Sequence, residues 1–165
     1  MSVYKPWFLK SEYQARLEQT QFALKQLNLD ALLAFEPETV TYLTGYFTRG
    51  YDTFQFAIVP AEGQPLIVCR DMERFYLENT AVFQDHVFWS DGDDKMAVGV
   101  SAIREMVGTQ ARCGIEMDSW QLTAGRFVAI QNALPDLKLV DCSTLVSAQR
   151  VIKSPAEIGY QRLAG

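Results

Sequence analysis

The stretch from Tyr46 to Gln55, YFTRGYDTFQ, concentrates the side chains best suited to recognition. Arg49, Tyr51 and Asp52 place a cation, a phenolic ring and a carboxylate close together, and Tyr46, Phe47 and Phe54 add further rings. Aromatic and charged residues on a segment between elements often form a contact or ligand surface. The plainer alternative is an edge loop in which Arg49 and Asp52 pair locally, which contributes little at a surface.

Other chemistry-bearing residues read as structural. Gly45 and Gly50 have the outer spacing of a phosphate-binding loop, but Tyr51 stands where the lysine would be. No GxGxxG occurs, so the dinucleotide fingerprint is missing as well. Asp91, Asp93 and Asp94 could attract a hard cation, yet the rest of a calcium loop is lacking. They stand just before a helical pattern, where negative charge favours the helix dipole. His86 is the single histidine, which excludes a zinc site with two or more histidines. No nucleophile motif surrounds it, and it reads as a half-buried structural residue. The three cysteines, Cys69, Cys113 and Cys142, are odd in number and far apart, and read as buried thiols. If the chain belongs to an enzyme, most of the chemistry is expected to lie outside these 165 residues.

The elements that must position these residues follow from periodicity. Ser11 to Leu27 reads as a helix, with Ser11 and Gln14 at capping-box spacing and Tyr13, Leu17, Leu24 and Leu27 on one stripe. Phe22 lies opposite, to pack against Trp7 and Phe8 or to meet a partner. Ala31 to Phe35 reads as a buried strand, and Pro37 opens a helix that Gly45 ends. Phe54 to Val59 and Leu66 to Cys69 read as an antiparallel hairpin around Gly63. Glu73 to Ala81 reads as a helix and Val87 to Trp89 as a strand. Met96, Val100, Ile103 and Val107 stripe a helix that stops at Gly108. Cys113 to Met117 is a strand. Phe127, Ile130 and Leu134 stripe a helix that Pro135 terminates, and Leu137 to Cys142 is the last strand. Strands alternating with helices, with one hairpin embedded, predict a single three-layer α/β domain: a mixed twisted sheet with helices on both faces.

The tail carries its own signal. Ser154, Pro155 and Glu157 occupy the cap, first and third positions of a new helix. A capped helix that ends at Gly165, after a complete α/β unit, implies that the natural protein continues.

The 165 residues are 48% hydrophobic and carry a net charge of −5. That is enough chain for one sizeable core. The acidic balance disfavours nucleic acid and acidic membrane surfaces as partners. No apolar run reaches the ~18 residues of a membrane span, and the start has no signal-peptide stretch, so a cytoplasmic protein is expected.

Several segments together resemble the amino-terminal domain of the creatinase, prolidase and aminopeptidase P family of metallohydrolases. They are Tyr13–Leu17 with Leu24 and Leu27, Asp30-Ala-Leu-Leu-Ala34, Thr39-Val-Thr-Tyr-Leu-Thr-Gly45, Gly114-Ile-Glu-Met-Asp118 and Arg150-Val-Ile-Lys-Ser-Pro-Ala-Glu-Ile158. They occur in order, and the resemblance spans about residues 12–163. The resemblance implies a creatinase N-terminal-like, ribonuclease H-like fold over residues 1–152. It implies that 153–165 begin a linker helix into a pita-bread catalytic domain absent from this chain. That domain would hold two divalent ions (manganese, cobalt or zinc) on two aspartates, a histidine and two glutamates. The amino-terminal domain would supply homodimer contacts and part of the substrate wall, near Tyr46 to Gln55. In the creatinase branch a phenylalanine and, two residues on, an arginine approach the substrate from this stretch. Counted from Gly45, those positions are Tyr51 and Thr53, so the aromatic is kept and the arginine is not. That departure argues against creatine.

The expected parent is an Xaa-Pro aminopeptidase or dipeptidase, or a related hydrolase of a small C–N bond, acting by metal-assisted hydrolysis. The resemblance implies that the chain alone would be inactive, with no catalytic residue and no metal ligand of its own and with Arg49, Tyr51 and Asp52 as its substrate-facing candidates. The rival is a free-standing α/β binding or interaction module without hydrolase activity.

Overall fold

The apolar runs become six strands of one sheet, in the order β4-β3-β2-β1-β5-β6. The computed structural model describes residues 5–165. The strands are β1 (Ala31–Ala34), β2 (Phe56–Pro60), β3 (Leu66–Arg70), β4 (His86–Trp89), β5 (Arg112–Ile115) and β6 (Lys138–Asp141). β2 pairs antiparallel with both β1 and β3, as the hairpin pattern predicts, and the other pairings are parallel. The sheet is therefore mixed.

Alternation along the strands sorts their side chains into two cores. Leu32, Ala34, Ala57, Val59, Ile67 and Cys69 face one layer of helices. That layer is α1 (Lys10–Gln26), α2 (Pro37–Thr44), α3 (Arg74–Thr80) and α6 (Leu145–Gln149), through Tyr13, Leu17, Val40, Leu43, Leu77 and Val146. Ala31, Leu33, Phe56, Ile58, Val68, Cys113 and Ile115 face α4 (Lys95–Val107) and α5 (Ala124–Ala133), through Val100, Ile103 and Ile130. The single three-layer α/β domain with helices on both faces is what forms. All three cysteines are buried as free thiols, and burial pushes Cys69 and Cys113 up to about 12.

Several sequence expectations are corrected. α1 starts at Lys10 with Leu9 as its cap residue, and no side chain caps it. Ser11 thus lies inside the first turn, and Gln14 bonds Glu18 at 3.0 Å instead of closing a capping box. Leu27 is the half-exposed C-cap rather than part of the buried stripe. Phe22 is exposed, and the rings that meet Trp7 and Phe8 are those of Phe47, Tyr13 and Tyr160. β2 begins at Phe56, two residues later than expected, because Phe54 still belongs to the incoming loop. A short 3-10 turn, Asp71–Glu73, precedes α3, and α6 was not foreseen. The acidic run caps α4: Asp94 accepts from Met96 N at 2.9 Å and Ala97 N at 3.2 Å.

Two terminal signals hold in detail. Gly45 ends α2 at φ 78°, and a Cβ there would meet Thr80 O at 2.9 Å and the Tyr13 ring at 3.2 Å. α7 (Pro155–Ala164) opens with a full capping box: Ser154 N donates to Glu157 Oε2 at 2.8 Å, and Glu157 N donates to Ser154 Oγ at 3.2 Å.

Candidate functional site: an aromatic groove along α2

β1 and β5 are parallel neighbours at the middle of the sheet, yet the helices after them go to opposite faces. α2 follows β1 onto the first core, and α5 follows β5 onto the second. Chain leaving in opposite directions opens a crevice beyond the strand ends, where α/β sheets commonly hold ligands. β2 runs the other way, so the loop that leads into it, residues 46–55, arrives at the same end.

A carboxylate pins that crevice. Glu116, just past β5, is 3% exposed. It accepts from Glu36 N at 2.8 Å and from Thr39 Oγ1 at 2.6 Å, and so caps α2 from across the sheet. Burial pushes Glu116 up to about 7; the hydrogen bonds from Thr39 and Glu36 pull the other way and are outweighed. At the rim, burial and the hydrogen bond to Glu38 raise Glu36, while that same bond lowers Glu38.

The groove itself has a volume of about 770 Å³. Pro37, Glu38, Thr41 and Tyr42 form its α2 side, at helical spacing, while Val40 and Leu43 pack inward. Tyr51 and Trp120 stand on it with ring centroids 6.2 Å apart and planes at 79°; both are half-exposed. An edge-to-face pair of this kind is a stable arrangement of two aromatic quadrupoles. Arg150 and Glu38 add one charge of each sign to the lining.

Arg16 forms the floor. Its side chain is 5% exposed and its guanidinium lies 4.4 Å from the Phe8 centroid and 4.2 Å from that of Tyr42. Nη2 pairs with Glu12 at 3.1 Å and Glu157 at 3.3 Å, and Nη1 donates to Tyr42 O at 3.2 Å. Glu157 therefore caps α7 with one oxygen and ties it to α1 with the other. Tyr160 completes the tie by donating to Trp7 O at 2.5 Å.

The loop residues picked from sequence do not act as one cluster. Tyr46 is buried in the first core and Phe54 in the second. Tyr51 is on the groove; Asp52 is exposed beside it in the chain. Arg49 lines a separate cavity of about 450 Å³ with Lys5, Trp7, Phe47 and Tyr160. Among the described residues Arg49 and Asp52 form no ion pair, so the local pairing is not made. Sequence reasoning missed Trp120, Arg16 and Gln121. Trp120 carried a readable signal, a tryptophan in the polar run Asp-Ser-Trp-Gln. Arg16 and Gln121 carried none, since their meaning lies in partners far along the chain.

His86 is half-buried, and its Nδ1 is 2.6 Å from Gln84 O. Among the described residues no three His, Cys, Asp or Glu side chains converge. No described helix is long and apolar enough to cross a membrane.

Comparison with known proteins matches the sequence to a family and the fold to solved structures. The creatinase/prolidase N-terminal domain family matches residues 16–152. Ectoine hydrolase of Halomonas elongata is 27% identical, over 96% of this chain and 42% of that protein. Creatinase of a Bacillus species is 24% identical, over 93% of this chain and 37% of that protein. The chain thus spans about two fifths of these relatives. Among solved structures, prolidase of Thermococcus sibiricus superposes with a TM-score of 0.75 at 22% identity, covering 89% of this chain and 39% of that one. The separate N-terminal domain of an X-Pro dipeptidase from Streptococcus pyogenes gives 0.67 at 19% identity, covering 81% and 98%. The chain belongs to the creatinase/prolidase N-terminal domain family.

Proposed function

We propose that residues 1–152 are the non-catalytic N-terminal domain of a larger metal-dependent hydrolase, and that residues 153–165 begin the helix leading into its catalytic domain. One observation carries this reading: the match takes in 96% of this chain but 42% of ectoine hydrolase. In this reading the domain supplies homodimer contacts and one wall of the substrate site, in the cytoplasm. The catalytic domain holds the divalent ions (manganese, cobalt or zinc) and does the chemistry. The groove supports the substrate class. Aromatic walls suit a small ring such as that of proline, and Arg150 and Glu38 suit the two ends of a zwitterion. The substrate is then an Xaa-Pro dipeptide or a related small amide.

The test assays the 165-residue chain and the full-length protein side by side on Xaa-Pro dipeptides. Turnover appears only in the full-length protein, stops with a chelator and returns with manganese. Turnover by the chain alone overturns the reading. Activity in neither, with a small ligand bound by the chain, favours the free-standing binding module instead.

A further inference from the structure

Gln121 is 1% exposed, although it lies in the connection between β5 and α5. Both ends of its side chain are used. Nε2 donates to Tyr51 O and, at 3.2 Å, to Thr53 O. Oε1 accepts from Arg126 Nη1 at 2.8 Å, and the same nitrogen donates to the Gln121 carbonyl. These partners fix the amide orientation, because carbonyl oxygens can be met only by the NH2 and a guanidinium only by the oxygen. Arg126 forms no ion pair among the described residues and lies over Phe54, 5.0 Å from its centroid.

Beyond Gln121 the tip's own main chain is held by bonds within the loop, including a long one from Gln55 Nε2 to Gly50 O at 3.5 Å, while its stem is tied outward where Thr48 Oγ1 donates to Glu73. Thr53 N closes a turn on Gly50 O at 2.9 Å, and Gly50 N donates to Thr48 Oγ1 at 2.8 Å. Adjacent residues of one connection therefore grip the tip twice: the Gln121 side chain holds the tip's main-chain carbonyls, and the Trp120 ring meets the Tyr51 ring.

We propose that Gln121 is the positioning residue of the groove, registering the Tyr51–Asp52 tip against Trp120 through the Arg126–Gln121–carbonyl relay. Its consequence for substrate rests on the reading of the groove as a substrate wall; the positioning itself does not.

Gln121→Glu tests it. The variant keeps size and the Arg126 contact, but sets a carboxylate against two carbonyls. In the 165-residue chain, the Gly50 and Thr53 amides should exchange about tenfold faster or more, while amides of β1 and β2 keep their protection. The Tyr51 ring resonances, assigned by difference from Tyr51→Phe, should move toward free-tyrosine values as the Trp120 ring current is lost. Gln121→Met, of similar volume and without donors, gives the same result if Gln121→Glu does not fold. Unchanged exchange and ring shifts overturn the proposal, as does a uniform loss of protection in both variants, which would make Gln121 a general stability residue. In the full-length enzyme the same variant should raise KM and leave kcat. A loosened tip with unchanged KM would remove the substrate-wall reading and leave the positioning intact.

Discussion

Glu116 shows what a single buried side chain settles here. Its carboxyl is pushed up to about 7 from its ordinary 4.5, chiefly by burial. A raised folded-state value means the folded chain holds that proton more tightly than the unfolded chain. The contribution is therefore full below about pH 4.5 and is lost as pH rises through about 7, by up to roughly 3 kcal/mol. Glu116→Gln keeps both hydrogen bonds, with Oε1 accepting from Glu36 N and Nε2 donating to Thr39. Melting curves at pH 5 and pH 8 should show the wild type losing stability with pH and the variant losing much less. Glu36 is shifted in the same direction and Glu38 in the opposite one. At Gly45 the cause is steric. Gly45→Ala puts a side chain at φ 78° and against Thr80 O, and should cost about 2–3 kcal/mol in urea titrations. Of these two, the glycine was readable as a helix stop. Glu116 was visible only as part of a family motif, because its partners lie 80 and 77 positions away.

The elements whose ends are marked by local chemistry were the legible ones. α7 has its cap, proline and glutamate in consecutive code, and α4 has Asp94 before and Gly108 after. α1 was displaced by a residue because a serine near its start resembles a cap that the structure does not use. α6 is five residues long with Val146 as its buried residue, too short to show a period. The way α7 packs was not legible at all, since it depends on Arg16. Breaking that contact should free the helix. Arg16→Met and Glu157→Gln, singly and together, should show a coupling of about 1–3 kcal/mol in stability. Amide exchange over 155–164 should rise in each single variant while β1 stays protected. Additive effects would mean that the pair does not dock α7.

At the scale of the whole molecule, composition and alternation were enough for the three layers and the mixed sheet. The groove was not, because it gathers residues from α1, α2, the 46–55 loop, the β5–α5 connection and α7. Tyr51 was found as part of an aromatic loop, whereas its partner Trp120 comes from the far side of β5. The same assembly explains why Arg49, two residues before Tyr51, ends in a different cavity. We propose that this domain lends a wall to chemistry done elsewhere in a longer protein. The most direct measurement is the steady-state hydrolysis of an Xaa-Pro dipeptide by the full-length, manganese-loaded protein, wild type against Tyr51→Ala. Wild-type turnover is expected, with a KM about tenfold higher in the variant at an unchanged melting temperature. No turnover by the wild type, or an unchanged KM in the variant, would contradict it.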